Sequence, residues 1–110
     1  MMDAPKLSES ERKQYLAAAA AARAERAQLK RDVAAGKAKA SAIVAENDDS
    51  KTTIGRMRVA ELLRAVPGLG KARVETIMAD LGIADNRRLG GLGKNQRAAL
   101  ADLLASREDE

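Results

Sequence analysis

The chain has 110 residues, 20 Lys or Arg against 16 Asp or Glu, no histidine and no cysteine, for a net charge of +4. Without Cys or His it has no disulfide, no thiolate or imidazole catalysis and no zinc-finger ligand set, so neither a metal nor a catalytic residue is expected. Apolar residues make up 45%, but 24 of them are alanine, and 17 of the large Val, Ile, Leu and Met side chains fall between Ile54 and Leu104. The compact part is therefore expected in the second half, with room for one modest domain.

In chain order, residues 1–7 read as a loose leader. They lack the basic and apolar runs of a signal peptide, and Ala17–Ala22 is too short to cross a bilayer, so a cytoplasmic location without membrane contact is expected. Ser8-Glu9-Ser10-Glu11 forms a capping box, and the helix formers after it predict a helix to Ala35, about 40 Å long. Gly36 is its stop. This helix has too few large apolar residues to pack along its whole length, so its N-terminal part is expected to project, fray or order only against a partner. At the helical period, Arg12, Arg23, Arg26 and Lys30 share an arc of about 60°, either a solvated face or a phosphate-contacting stripe.

A short helix over Lys39–Glu46 turns Ile43 and Val44 inward, and the acidic Asn47–Ser50 segment is a loop or cap. One helical turn is expected over Thr53–Met57, then a helix that stops near Val66 because Pro67 disfavours helix in its predecessor. Pro67-Gly68-Leu69-Gly70-Lys71 is a turn that opens a helix to Leu81, with Arg73 in its first turn. Gly82 ends that helix, Ile83 enters the core and Asp85 is placed to cap the turn over Arg87 and Arg88. A second Gly-Leu-Gly-Lys, Gly91 to Lys94, opens the last helix, to Leu104, with Arg97 on it. No window alternates as a strand, so the fold class is all-α. The resulting divisions are 1–36, 37–52, 53–105 and an acidic tail over 106–110.

The repeated Gly-Leu-Gly-Lys turns carry the chemistry. A helix N-terminus offers free N–H groups and partial positive charge, glycine lets a phosphate approach, and lysine adds a cation. Nucleotide-binding loops fail on spacing. Ala65 and Arg88 stand where a phosphate-binding loop needs its first glycine, and Arg73 and Gln96 where a dinucleotide fingerprint needs its third. No cofactor and no small-molecule substrate is therefore expected. Asn86–Ala101 holds Arg87, Arg88, Lys94 and Arg97 without an acid, which points to a polyanion. With one Tyr, no Phe and no Trp, base stacking on aromatic side chains is disfavoured, and a duplex backbone is the better target. The candidate DNA-binding set is Pro67, Gly68, Leu69, Gly70, Lys71, Arg73, Arg87, Arg88, Gly91, Gly93, Lys94 and Arg97, with the Arg12, Arg23, Arg26 and Lys30 stripe as a secondary contact.

Ile54-Gly55-Arg56-Met57-Arg58-Val59, Leu62-Leu63, Pro67 to Lys71, and Ala84 to Leu89 followed by Gly91-Leu92-Gly93 together resemble the actinobacterial integration host factor family. So do Pro5, the Ser8–Glu11 box and Ala20–Lys30, so that the likeness spans nearly the whole chain. The resemblance implies a long N-terminal helix on a helix–two-turns–helix domain, and a nucleoid-associated protein rather than an enzyme. Such a protein binds duplex DNA with little sequence specificity, bends it, affects compaction and topology, and assists a phage integrase on its DNA. It also implies that the Gly68–Lys71 turn holds phosphates, that Arg87 and Arg88 approach the groove and backbone, and that Lys94 and Arg97 add backbone contacts. The chain departs from the family at Gly90, where a basic residue is common. The alternative is an RNA-binding protein of the ribosomal small-subunit type with the same turn, against which the acidic end Glu108-Asp109-Glu110 weighs.

Overall fold

The computed structural model describes residues 7–108. Five α-helices form: α1 (Glu9–Ala34), α2 (Ala40–Glu46), α3 (Val59–Ala65), α4 (Lys71–Asp80) and α5 (Lys94–Glu108), with a 3₁₀ turn at Leu89–Gly91. The expected all-α architecture holds, with no β-strand among the described residues. A single isolated antiparallel bridge joins Arg58 to Arg88.

The start of α1 follows from local chemistry. Ser8 accepts from the Glu11 N–H at 3.1 Å, and the Glu11 carboxylate accepts from the Ser8 N–H at 3.2 Å, completing the capping box. That bonding, chiefly the Ser8 side chain and then its backbone N–H, holds the Glu11 carboxyl below its ordinary range. At the other end Gly36 takes φ +77° and turns the chain. Of the α1 residues only Val33 is buried, whereas Tyr15 and Leu16 are 70% and 64% exposed. The helix is continuous over this unpacked half, which lies away from the core.

One core unites the rest. Val33, Ala40, Ile43 and Val44 join Met57, Val59, Leu62, Leu63, Val74, Ile77, Met78, Leu89, Leu100 and Leu104 in a single cluster. The segment read as a separate short helix and linker over 37–52 thus shares the core of the 53–105 segment, with α2 packed chiefly against α5. Ile83 is buried as expected, and Leu69 and Leu92 of the two glycine turns are buried too, while Leu103 is only partly covered.

One local expectation holds and two are corrected. Thr53–Met57 carries the single helical turn, closed by Arg56 N–H on the Thr52 carbonyl at 3.1 Å. Gly55 N–H also donates to Thr52 Oγ1 at 2.9 Å, and Gly55 is pressed onto the Asp49 carbonyl. The last helix runs past Leu104 to Glu108, whose carboxylate accepts from the Ser41 N–H at 3.1 Å and from the Ser41 hydroxyl. Ser106–Glu108 is therefore anchored helix, while Asp109 and Glu110, like the first six residues of the leader, lie outside the described residues. Nor does Asp85 cap the arginine turn. Backbone closes it, Arg87 N–H to the Ala84 carbonyl at 3.0 Å.

Candidate nucleic-acid interface

Val66-Pro67-Gly68-Leu69 is a type II turn: proline sets the first corner, Gly68 at φ +85° the second, and Leu69 N–H closes on the Val66 carbonyl at 3.2 Å. Leu69 is buried and pins the turn to the core. Gly70 follows as the N-cap of α4 with no side-chain cap, leaving the first-turn N–H groups at Lys71, Ala72 and Arg73 facing outward. Gly70 itself has φ −75° and open space where a Cβ would stand, so its backbone requires no glycine; Gly68 does. Pro67, Lys71 and Arg73 are exposed.

The second turn is built differently. Gly93 N–H donates to the Gln96 side-chain oxygen at 3.0 Å, and Gln96 Nε2 donates to the Gly82 carbonyl at 2.9 Å. Its N–H is satisfied from within the protein. The two Gly-Leu-Gly-Lys copies are thus unequal, the first being the more open to an outside oxygen. Lys94 is exposed beside a depression that Asp48 also lines.

Arg97 departs from its expected role at phosphate. Its Nη1 donates to the Val44 and Asn47 carbonyls at 2.9 and 3.2 Å, and its Nη2 to the Leu89 and Leu92 carbonyls at 2.9 and 3.3 Å. The guanidinium ties the end of α2 to the second turn, and four of its donors are occupied. Lys30 also departs from the stripe, because its Nζ pairs with Glu61 Oε1 at 2.9 Å and pins α1 to α3. This is the one ion pair among the described residues.

Arg87 and Arg88 take opposite neighbours. The chain is extended there, with Val59 N–H on the Arg87 carbonyl at 3.0 Å and Leu89 N–H on the Met57 carbonyl at 2.9 Å, so successive side chains diverge. Arg87 Nη1 reaches the Gly91 carbonyl at 3.0 Å, over the second turn. Arg88 Nη1 reaches the Arg56 carbonyl at 2.5 Å and turns toward α1. There Arg23, Arg26, Arg56, Arg58 and Arg88 line one groove of about 410 Å³ between α1 and the bridged segments, with Lys30 and Glu61 at its edge. It continues along α1 past Tyr15 and Ala19 as a wider groove of about 710 Å³. Arg12 lines neither part. The helix stripe and the arginine turn, read from sequence as separate surfaces, meet in one place.

Arg56 and Arg58 are absent from the residues expected at the site. They flank buried Met57, but no local rule places them at the groove: Arg56 closes the turn on the Thr52 carbonyl, and Arg58 meets Arg88 only through the fold. Gly90 has a packing explanation. A Cβ there would stand 2.5 Å from Ser50 N and Cα, and Gly90 N–H donates to the Gly55 carbonyl at 2.8 Å. The Asp49–Ser50 loop lies where a longer side chain would begin. No helix among the described residues is long and apolar enough to cross a membrane.

The S13-like H2TH domain family matches residues 33–103. The chain is 40% identical to the integration host factor of Streptomyces coelicolor over 90% of its own length and 92% of that protein's. It is 39% identical to the integration host factor of Mycobacterium tuberculosis, over 96% of this chain and 99% of the relative. A solved structure described as sIHF bound to an 8bp palindromic DNA superposes with a TM-score of 0.71 at 40% identity, covering 78% of this chain and 96% of that one.

Proposed function

The chain belongs to the actinobacterial integration host factor family, and from that premise we propose that it is a non-enzymatic architectural protein of double-stranded DNA. It binds the phosphate backbone with low sequence specificity, bends the duplex, and serves compaction, topology and site-specific phage integration in the nucleoid. The observation that carries this reading is the groove in which five arginines from three separate segments converge without an ion-pair partner among the described residues. Such a density of cations without acid partners attracts a polyanion placed opposite it. A groove flanked by α1 on one side and the Arg56–Arg58 and Arg88 segments on the other suits a rod with charge on both flanks, as duplex backbone presents.

The first glycine turn fits a further phosphate through the outward N–H groups of α4, with Lys71 and Arg73 beside them. Arg87, exposed at the second turn, gives one bond to the Gly91 carbonyl and keeps its other donors to approach a groove, where arginine favours a narrow minor groove. Contacts to phosphate with few to base edges read shape and deformability, which accords with a DNA-bending role. The RNA-binding alternative is not favoured, since the relatives that match over nearly the whole chain are integration host factors.

A salt titration on a bendable duplex labelled at both ends tests the reading. With about five phosphates neutralised, the log–log slope is expected near −4 to −5, and energy transfer between the ends rises on binding. Salt-insensitive association, or equal preference for structured RNA, overturns it.

A further inference from the structure

Arg107 belongs to none of the sites above. It lies in the last turn of α5, where a cation suits the negative end of the helix dipole. That preference places it at a level along the helix but gives it no direction. The tertiary fold supplies one: a Cβ built on Gly68 would stand 3.1 Å from Arg107 Nη2, so the guanidinium lies against the apex of the first glycine turn. Arg107 Nε is buried and has no hydrogen-bond partner among the described residues. Glu108, its sequence neighbour, is engaged by Ser41, and no ion pair forms to Arg107 among the described residues. A cavity of about 280 Å³, lined by Val33, Lys39, Val66, Pro67, Arg107 and Glu108, opens beside it.

The Arg107 side chain is half-buried with its Nε–H bond unmade, so its charge calls for an acceptor at the Nη end, which lies beside the turn. Those facing it here are few, because the turn presents an α-carbon and no side chain at Gly68. We propose that Arg107 is a phosphate-binding residue of the first glycine turn, its guanidinium sharing one duplex phosphate with the outward N–H groups at the start of α4. The proposal rests on the reading that this turn contacts the DNA backbone. Gly68 then serves twice: it supplies the positive φ, and it leaves the guanidinium a line of approach that any side chain would block. The cation comes from the far end of the domain, outside the Pro-Gly-Leu-Gly-Lys motif, and only the packing of α5 beside the turn brings it there.

The full chain carrying Arg107→Met, Arg107→Lys or Lys71→Met is titrated with the same duplex over a range of salt. Arg107→Met is expected to reduce the salt slope by about one and to weaken binding to all sequences alike. Arg107→Lys is expected to keep the slope, because the charge remains. In the unmodified protein, the Arg107 Nε–H resonance is expected to shift downfield as duplex is added, a readout that survives if the methionine variant fails to fold. An unmoved Nε–H resonance overturns the proposal. So does an unchanged slope in Arg107→Met. If Lys71→Met lowers the slope and Arg107→Met does not, the proposal fails while the turn remains a DNA contact. If neither does, the turn itself is not one.

Discussion

Replacing Arg97 with methionine should weaken the fold and leave the DNA interface intact. The guanidinium makes four bonds to carbonyls, two at 2.9 Å and two longer at 3.2 and 3.3 Å. Hydrogen bonds to charged groups contribute about 1.5–3 kcal/mol each. The two long bonds count for less, and water reaches part of this half-buried side chain, so the expected loss is about 2–4 kcal/mol. Methionine keeps the apolar stem and leaves the Val44, Asn47, Leu89 and Leu92 carbonyls without their shared donor. For a domain of this size that loss lowers the melting midpoint by roughly 10–25 °C. The assay is a helicity melt of both proteins, paired with a salt titration of DNA binding at a temperature well below either midpoint. A midpoint within about 2 °C of the parent protein, together with a slope reduced by about 0.9, would make Arg97 a phosphate contact and refute this assignment.

Arg56→Ala combined with Arg58→Ala should reduce the salt slope by about 1.8 with helicity unchanged; an unaltered slope removes the groove from the interface. Gly90→Arg supplies the cation common at this position in the family, yet its Cβ would meet Ser50 backbone at 2.5 Å. It should destabilise by about 1–3 kcal/mol in chemical denaturation, and a neutral result would show that the Asp49–Ser50 loop yields freely. Tyr15 is the one aromatic residue and lines the α1 part of the groove, so its intrinsic fluorescence should change on DNA addition; a spectrum that stays constant through saturation places α1 outside the contact. Glu11 is held below its ordinary range by Ser8. Its contribution to the α1 cap is therefore present above the unfolded-state value and is lost as pH falls through the lowered folded value. Ser8 and Glu11 amide shifts should follow that loss and become flat in Glu11→Gln; persistence of the titration in that variant would assign it to another group.

Helix boundaries were legible because their causes are local. Ser8 and Glu11 are three residues apart, Gly36 bends the chain by its own φ, and Pro67 stops α3 by a clash with its neighbour. The type II turn at Val66–Leu69 likewise needs nothing beyond Pro67 and Gly68. The need for glycine at Gly55 escaped such rules because contact with Asp49 and Gly90, in other parts of the chain, imposes it. The end of α5 did so because Ser41, on another helix, holds Glu108.

The same division runs through the interface. Composition, the basic stretch and the glycine turns were enough to indicate a duplex polyanion, since net charge and free N–H groups are properties of residues and short segments. Which cations are left without an acid partner among the described residues was decided only by the tertiary structure. Arg97 makes four bonds to carbonyls and Lys30 pairs with a carboxylate, whereas Arg88 makes one bond to the Arg56 carbonyl and lines a groove with Arg23, Arg26, Arg56 and Arg58. A long charged side chain takes its role from the nearest acceptor, and folding determines that acceptor by joining segments that are far apart in the chain.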